Sequence, residues 1–267
     1  MTRVDTIHRT ALLLALCLGL CACGDSTTGR TVVLHNEIAL DLPLGTELKT
    51  QTGWSVSLSA AAVSLGALYY FDGEPAFVQR RAPSLWRQLA SWLGPSVAYA
   101  HPGHYQQGLA RGQLLEPSAL ALSEEPSALG VGNGVSGRVR SGRVVFAASD
   151  RSEPELGGDV AYVRGSASKG DKTVHFVLSA SFEDVARNAG NGAVNGCVFE
   201  DADIQDDGTV ALQVKPQIWL NLVHFDDLDP GSEEAPTKVS AEDDAQVAFA
   251  VGVAQLSAYR FSFRAEL

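Results

Sequence analysis

Short segments of alternating apolar and polar residues, separated by turn-forming residues, constrain the fold of this chain more than any other feature. In residues 31–42, Val32, Leu34 and Ile38 fall on one face, and His35 falls on the other. Because successive side chains of a β-strand point to opposite faces, this alternation is typical of a strand with one buried face. The same reasoning predicts further strands at residues 54–72, 138–147, 159–166, 172–182, 197–204, 209–214 and 259–263.

The fold class follows from these strands and from the turns between them. Residues 169–171 predict a tight turn between two strands, and residues 206–208 predict a hairpin that joins residues 197–204 to residues 209–214. Many strands at this spacing favour a mostly β protein over a helical bundle. The expected architecture is an antiparallel β-sandwich or a barrel-like sheet.

Helical spacing is confined to a few short segments. Residues 83–93 and 245–254 predict one or two short helices, and residues 217–225 fit either a strand or a short helix. A long insertion rich in glycine and proline is expected around residues 73–135. Since the composition shows no clear boundary elsewhere, we expect residues 31–267 to form a single β-rich domain.

The first 22 residues have the pattern of an export signal. Arg3 and Arg9 form a positive region, and residues 11–20 form an apolar stretch too short to span a membrane as a helix. The sequence Leu20-Cys21-Ala22-Cys23 follows and resembles the lipobox of bacterial lipoproteins. The resemblance implies removal of residues 1–22 and attachment of a diacylglyceryl group to Cys23.

The lipobox also implies a location and a membrane contact. Residues 23–30 would act as a polar tether, and the lipid on Cys23 would hold the protein in the cell envelope. Asp25 stands two residues after the lipidated cysteine rather than directly after it, which favours the outer membrane over the inner membrane. An envelope protein or a transporter is the kind of protein partner expected there.

The charge of the chain argues against a nucleic-acid-binding protein, and its cysteine content argues against a fold held together by disulfides. The chain has 31 Asp and Glu residues against 20 Lys and Arg residues, a net charge of −11, so it lacks the basic surface that nucleic-acid binding requires. After cleavage and lipidation only Cys197 remains free, so no disulfide can form within the chain. Cys197 begins an apolar stretch, which favours a buried thiol over a reactive one.

Histidines provide the one set of residues with a specific chemical implication. His101 and His104 flank Pro-Gly, the preferred pair for the centre of a type II turn, so the turn would place the two imidazoles close together. Such a pair is a candidate site for one Zn or Cu(II) ion, with His175, His224 and His35 as candidates for the remaining ligands.

Three functions remain open at this point. The first is a lipid-anchored envelope protein that binds a transition metal for storage, sensing or delivery. The second is a metal-free structural or interaction module on the cell surface, which binds a protein or a glycan through Trp54, Trp219 and the long glycine-rich loops. The third is a metal-dependent hydrolase with Glu37 as its base. We assign no catalytic residue.

The mature part of the chain also resembles uncharacterised bacterial surface lipoproteins that contain a similar His-Pro-Gly-His-Tyr segment, here residues 101–105. No activity follows from that resemblance.

Overall fold

The computed structural model describes residues 29–76, 105–149 and 156–266. Strands make up 51% of the described residues and helices 13%, which confirms the predicted mostly β fold. The strands are β1 (Thr31–Leu40), β2 (Glu47–Lys49), β3 (Ser55–Phe71), β4 (Ala110–Leu114), β5 (Ser118–Ala121), β6 (Ser127–Val135), β7 (Gly137–Phe146), β8 (Ala161–Lys169), β9 (Lys172–Ala180), β10 (Ala193–Ile204), β11 (Gly208–Val214), β12 (Thr237–Lys238) and β13 (Tyr259–Ala265). The helices are α1 (Phe182–Ala189), α2 (Pro216–Leu220) and α3 (Asp244–Val253), with a 3-10 turn at Leu256–Ala258.

Some predicted features lie outside these ranges. They are the export signal, the lipidated Cys23, the helix at residues 83–93, and the turn that carries His101 and His104. The described residues from Thr31 onward belong to one compact unit. No helix among the described residues is long and apolar enough to cross a membrane.

Eight of the described strands form a closed ring of hydrogen-bonded neighbours. Their order is β3, β4, β6, β1, β11, β13, β10 and β7, and β7 pairs with β3 to complete the ring. Most neighbours are antiparallel, as predicted. However, β1 and β11 are parallel, and so are β10 and β13, so the sheet is mixed rather than wholly antiparallel.

Five of the described strands lie outside the ring: β2 and β5 pair with β3, and β8, β9 and β12 extend the sheet from it. The N-terminal half of β3 pairs with β8, β8 pairs with β9, and the two residues of β12 pair with β9 in parallel. The predicted turn at residues 169–171 is confirmed, because Lys169 and Lys172 are register partners and Gly170 has a positive φ of 60°. We call β8, β9 and β12 the extension.

The predicted hairpin between residues 197–204 and 209–214 is wrong. β13 lies between β10 and β11: it pairs in parallel with β10 and antiparallel with β11. Residues 205–207 do reverse the chain, but a turn signal does not specify which strands pair. The C-terminal strand takes the place between them and buries Phe261 completely.

The segment expected to be an insertion contains regular structure in its second half. β4, β5 and β6 all lie between residues 110 and 135, and two of them belong to the ring. Residues 217–225, which the sequence leaves ambiguous, begin with helix α2, and the helix predicted at residues 245–254 is confirmed as α3.

Helix α1 was not predicted, although the sequence carries a signal for it. The Ser181 hydroxyl accepts from the Asp184 backbone N–H, and the Asp184 carboxylate accepts from the Ser181 N–H, which together form a capping box. Ser followed by an acidic residue three positions later is the pattern that could have located this helix. The predicted strand instead continued to residue 182.

Aromatic side chains fill the buried face of the ring. Tyr70, Phe199 and Phe261 come from three strands, and their ring centroids are 5.6–5.8 Å apart. Gly142 allows this packing, because a Cβ there would lie 2.4 Å from the Phe261 ring. The Tyr70 hydroxyl donates to the buried Asn36 amide oxygen, so its polar atom is satisfied.

A second aromatic cluster lies beneath the extension. Trp54 and Phe176 both pack against Phe225, with centroid distances of 5.4 and 4.8 Å. Trp219 packs on Phe249 of α3 and donates to the Tyr259 hydroxyl at 3.2 Å. Trp54 and Trp219 are therefore core residues, and the expectation that they form a binding surface is wrong.

Candidate ligand-binding groove

The three described histidines do not converge. His35 is exposed on β1, 3.6 Å from the Glu266 carboxylate, and His224 is exposed, 3.7 Å from that of Asp226. His175 is partly buried on β9, which is separated from β1 by four strands in the sheet order. In residues 29–76, 105–149 and 156–266, no three His, Cys, Asp or Glu side chains are grouped to hold a metal ion.

The structure describes some of the remaining candidate residues and not others. His101 and His104 lie outside the described residues, so a metal site built on their turn stays a prediction. Glu37, the predicted base, accepts a hydrogen bond at 3.2 Å from Arg264. Cys197 is fully buried, as predicted, and burial raises the pKa of its thiol to about 12, so the unreactive thiol form prevails.

A groove of about 450 Å³ lies on the outer face of the sheet, where the extension joins β3. Its floor includes Ser57, Ser166 and His175, which are register partners on three adjacent strands and therefore lie side by side. The residues that line it are Leu44, Gly45, Ser57, Leu58, Ser59, Arg164, Gly165, Ser166, His175, Glu233 and Pro236. Its volume is within the range of about 300–1,000 Å³ that is usual for small-molecule sites.

Local sequence explains why the floor is polar. Val56 and Leu58 on β3 point to the core, so Ser57 between them points outward. The same alternation on β8 places Arg164 and Ser166 on the outer face. The small serine side chains leave space above the sheet that larger residues would fill.

Glycines bring the strands and loops of the groove close together. A Cβ on Gly165 would lie 2.2 Å from the Ser57 carbonyl oxygen, so β8 can approach β3 at this point only with glycine. Gly231 has a φ of 61°, and a Cβ there would lie 2.9 Å from the His175 carbonyl oxygen. The His175 backbone N–H donates to the Pro230 carbonyl at 2.7 Å, which holds the loop against β9.

Hydrogen bonds fix the walls of the groove but leave part of the floor available. Ser57 donates to the Gly45 carbonyl at 3.2 Å, and Arg164 donates to the Glu233 carbonyl. Among the described residues, neither the His175 imidazole nor the Ser166 hydroxyl has a hydrogen-bond partner. Both side chains are partly exposed and face the open groove, so they are accessible to a ligand.

No protein-family model, no curated protein sequence and no solved structure shows significant similarity to this chain. Its function therefore has to be inferred from the side chains of the groove.

Sequence reasoning identified His175 but not its neighbours. The signal for the others was present, because serine occupies residues 55, 57 and 59 and again residues 166 and 168, all at alternate positions. Such a repeat predicts a strand face that is polar and free of large side chains. It could have identified Ser57 and Ser166, although not their contact with each other across the sheet.

Proposed function

We propose that this chain is a lipid-anchored cell-envelope protein whose β domain binds a small polar ligand in the groove. The observation that carries the proposal is the pair of unpartnered polar groups, His175 and Ser166, side by side in a preformed cavity. Ligand sites are typically concave and preformed, with a few convergent polar groups that fix the orientation of the ligand.

The geometry favours binding over catalysis. A serine nucleophile needs a base in hydrogen-bond contact, and a third group usually orients that base. Among the described residues, neither Ser57 nor Ser166 donates to His175, and no carboxylate contacts the imidazole. The same side chains therefore fit a ligand-binding protein better than a hydrolase.

A second candidate function is storage, sensing or delivery of Zn or Cu(II), and the His-Pro-Gly-His turn is the observation that favours it. Metal content of the purified mature lipoprotein, measured by elemental analysis, tests it. One metal ion per chain, lost on replacing His101 and His104 by alanine, would support this function. Equal metal content in the wild type and the variant would reject these two ligands.

The binding proposal is tested by native mass spectrometry of the mature lipoprotein, extracted in a mild neutral detergent. We expect a stoichiometric small molecule on the wild type, and its loss from Ser166→Trp, in which the indole fills the groove. Ser262→Trp is the matched control, because Ser262 is also a half-exposed serine on a strand, in β13. Identical bound masses in both variants, or none in the wild type, would contradict the proposal.

The anchor is tested separately, by fractionation and intact-mass measurement of Cys23→Ser. We expect the wild type to carry a diacylglyceryl mass on Cys23 and to sediment with membranes. The variant should lack that mass and leave the membrane fraction. Membrane association that survives the substitution would contradict lipid anchoring at Cys23.

A further inference from the structure

We infer that the ligand of the groove carries an anionic group, a carboxylate or a phosphate, which binds Arg164 and His175. This inference rests on the proposed function and names the chemical class of the ligand.

Arg164 is the principal reason. Its guanidinium donates to the Glu233 carbonyl, a neutral acceptor, and among the described residues no carboxylate lies within ion-pair distance of it. Most other arginines in the described residues do have such a partner: Arg111 pairs with Asp72 at 2.9 Å, and Arg260 pairs with Glu200 at 2.8 Å. The bond to Glu233 also fixes the orientation of the planar group, and its remaining N–H groups can bind the two oxygens of an anion.

The floor beside Arg164 consists of hydrogen-bond donors suited to an anion. His175 can donate from a ring nitrogen, and Ser166 lies next to it with its hydroxyl unpartnered among the described residues. Hydrogen bonds from such groups to a charged acceptor are stronger than those to a neutral one. A ligand oxygen above this row would therefore satisfy groups that now have no partner.

The size and the remaining lining define the rest of the ligand. The volume of about 450 Å³ far exceeds that of one water molecule, about 30 Å³ in the liquid, so a bare ion would leave most of the groove empty. Leu44, Leu58 and Pro236 provide apolar contacts for a short carbon skeleton. None of the described residues that line the groove is Phe, Tyr or Trp, so the large aromatic side chains that sugars and nucleobases usually stack on are missing from this lining.

The test is isothermal titration of the mature lipoprotein, in neutral detergent, with two anions and their neutral analogues. Succinate represents a carboxylate and glycerol 3-phosphate represents a phosphate ester, and succinamide and glycerol are the matched neutral probes. We expect saturable binding of at least one anion below about 10 mM, and none of the neutral probes. Which of the two anions binds shows whether the groove prefers a carboxylate or a phosphate.

Variants locate the binding. Arg164→Gln keeps a donor for the Glu233 carbonyl and should weaken anion binding by at least about tenfold, whereas His175→Gln should have a smaller effect in the same direction. Arg187→Gln is the control, because Arg187 is an exposed arginine on α1 that does not line the groove. Thermal melting checks that each variant is folded.

Binding of neither anion, equal binding of a neutral analogue, or undiminished binding by Arg164→Gln would overturn the inference. The proposed function fails by a different result, namely no bound molecule on the wild type or the same bound molecule on the wild type and Ser166→Trp. If the wild type carries an uncharged molecule that Ser166→Trp lacks, the groove is a ligand site and only the ligand class is wrong.

Discussion

The ring and the extension are built from similar strands but use their faces differently. In the ring, Tyr70, Phe199 and Phe261 meet on the buried face at van der Waals distance and fill it. In the extension, the inner face is equally buried, with Val174 and Phe176 fully inaccessible, but the outer face carries polar side chains, among them the small Ser166, beside a loop. A ligand can bind only where side chains leave space, so this difference points to the extension as the functional region.

The physical reason for the difference is closure of the sheet. Strands of a closed ring surround a common interior, which side chains fill at the density of an organic crystal. The extension is open, so only one of its faces is covered by the rest of the domain. Helix α3 packs against β9 on that covered side, and the loop around Glu233 borders the groove on the other.

The largest loss of stability should follow from removing an aromatic side chain from the interior of the ring. Phe261→Ala removes a fully buried aromatic side chain that contacts both Tyr70 and Phe199, and we expect a loss of about 3–5 kcal/mol in the free energy of unfolding. Urea denaturation measures it. Phe263→Ala is the control on the same strand, because Phe263 is only partly buried. If Phe261→Ala and Phe263→Ala lost equal free energies of unfolding, Phe261 would not be a core residue of the ring.

The next effect concerns the buried polar contact of the ring. Tyr70→Phe leaves the Asn36 amide oxygen without the hydroxyl that donates to it, so we expect a loss of about 1–3 kcal/mol. Tyr69→Phe, one residue earlier and on the opposite face, should change the free energy of unfolding by less than about 0.5 kcal/mol. A reversed order of the two losses would show that the faces of β3 are wrongly assigned.

Asp41, which follows β1, should show a smaller effect that depends on pH. Burial raises the pKa of its carboxyl, against the attraction of Lys215, so the folded protein binds this proton more tightly than the unfolded chain does. The ionised carboxylate therefore costs stability at neutral pH, and the cost vanishes as the pH falls below the unfolded pKa of about 3.9.

We accordingly expect Asp41→Asn to be more stable than the wild type at pH 7, by less than about 1 kcal/mol because the carboxyl is only partly buried. The two proteins should converge at pH 3. Thermal melting at both pH values measures the difference. A variant that is less stable than the wild type at pH 7 would contradict a raised pKa.

The smallest effect on stability is expected in the groove. Ser166→Ala and His175→Gln should each change the free energy of unfolding by less than about 0.5 kcal/mol, because neither side chain is buried or hydrogen-bonded among the described residues. Phe176→Ala, on the opposite face of β9, should cost about 3–5 kcal/mol. Large losses for the groove variants would indicate that these polar residues serve the fold rather than a ligand.

The sequence allowed prediction of the strands better than of their partners. Alternation identified β1 correctly, and Val32, Leu34 and Ile38 are buried as it predicted, because burial of one face is a local property of a strand. Which strands pair with each other, in contrast, depends on residues that are far apart in the chain. The hairpin prediction for β10 and β11 was wrong because a strand from the end of the chain lies between them.

The candidate site shows the same limit. His175 could be singled out by its chemistry, but its neighbour Ser57 is more than a hundred residues away in the chain. Only the register of β3, β8 and β9 brings them together. Arg164 gave no signal, since its value as an anion ligand depends on the absence of a carboxylate nearby in the folded protein.

The most direct test of the groove is a nuclear magnetic resonance titration of the isotope-labelled mature chain with succinate or glycerol 3-phosphate. It reports every backbone amide at once. We predict that the largest shift changes cluster at Ser57, Arg164, Ser166 and His175, while the amides of the seven ring strands other than β3 stay unchanged. Changes centred on those seven strands or on residues 101–104, or no change at all, would contradict a binding site in the groove.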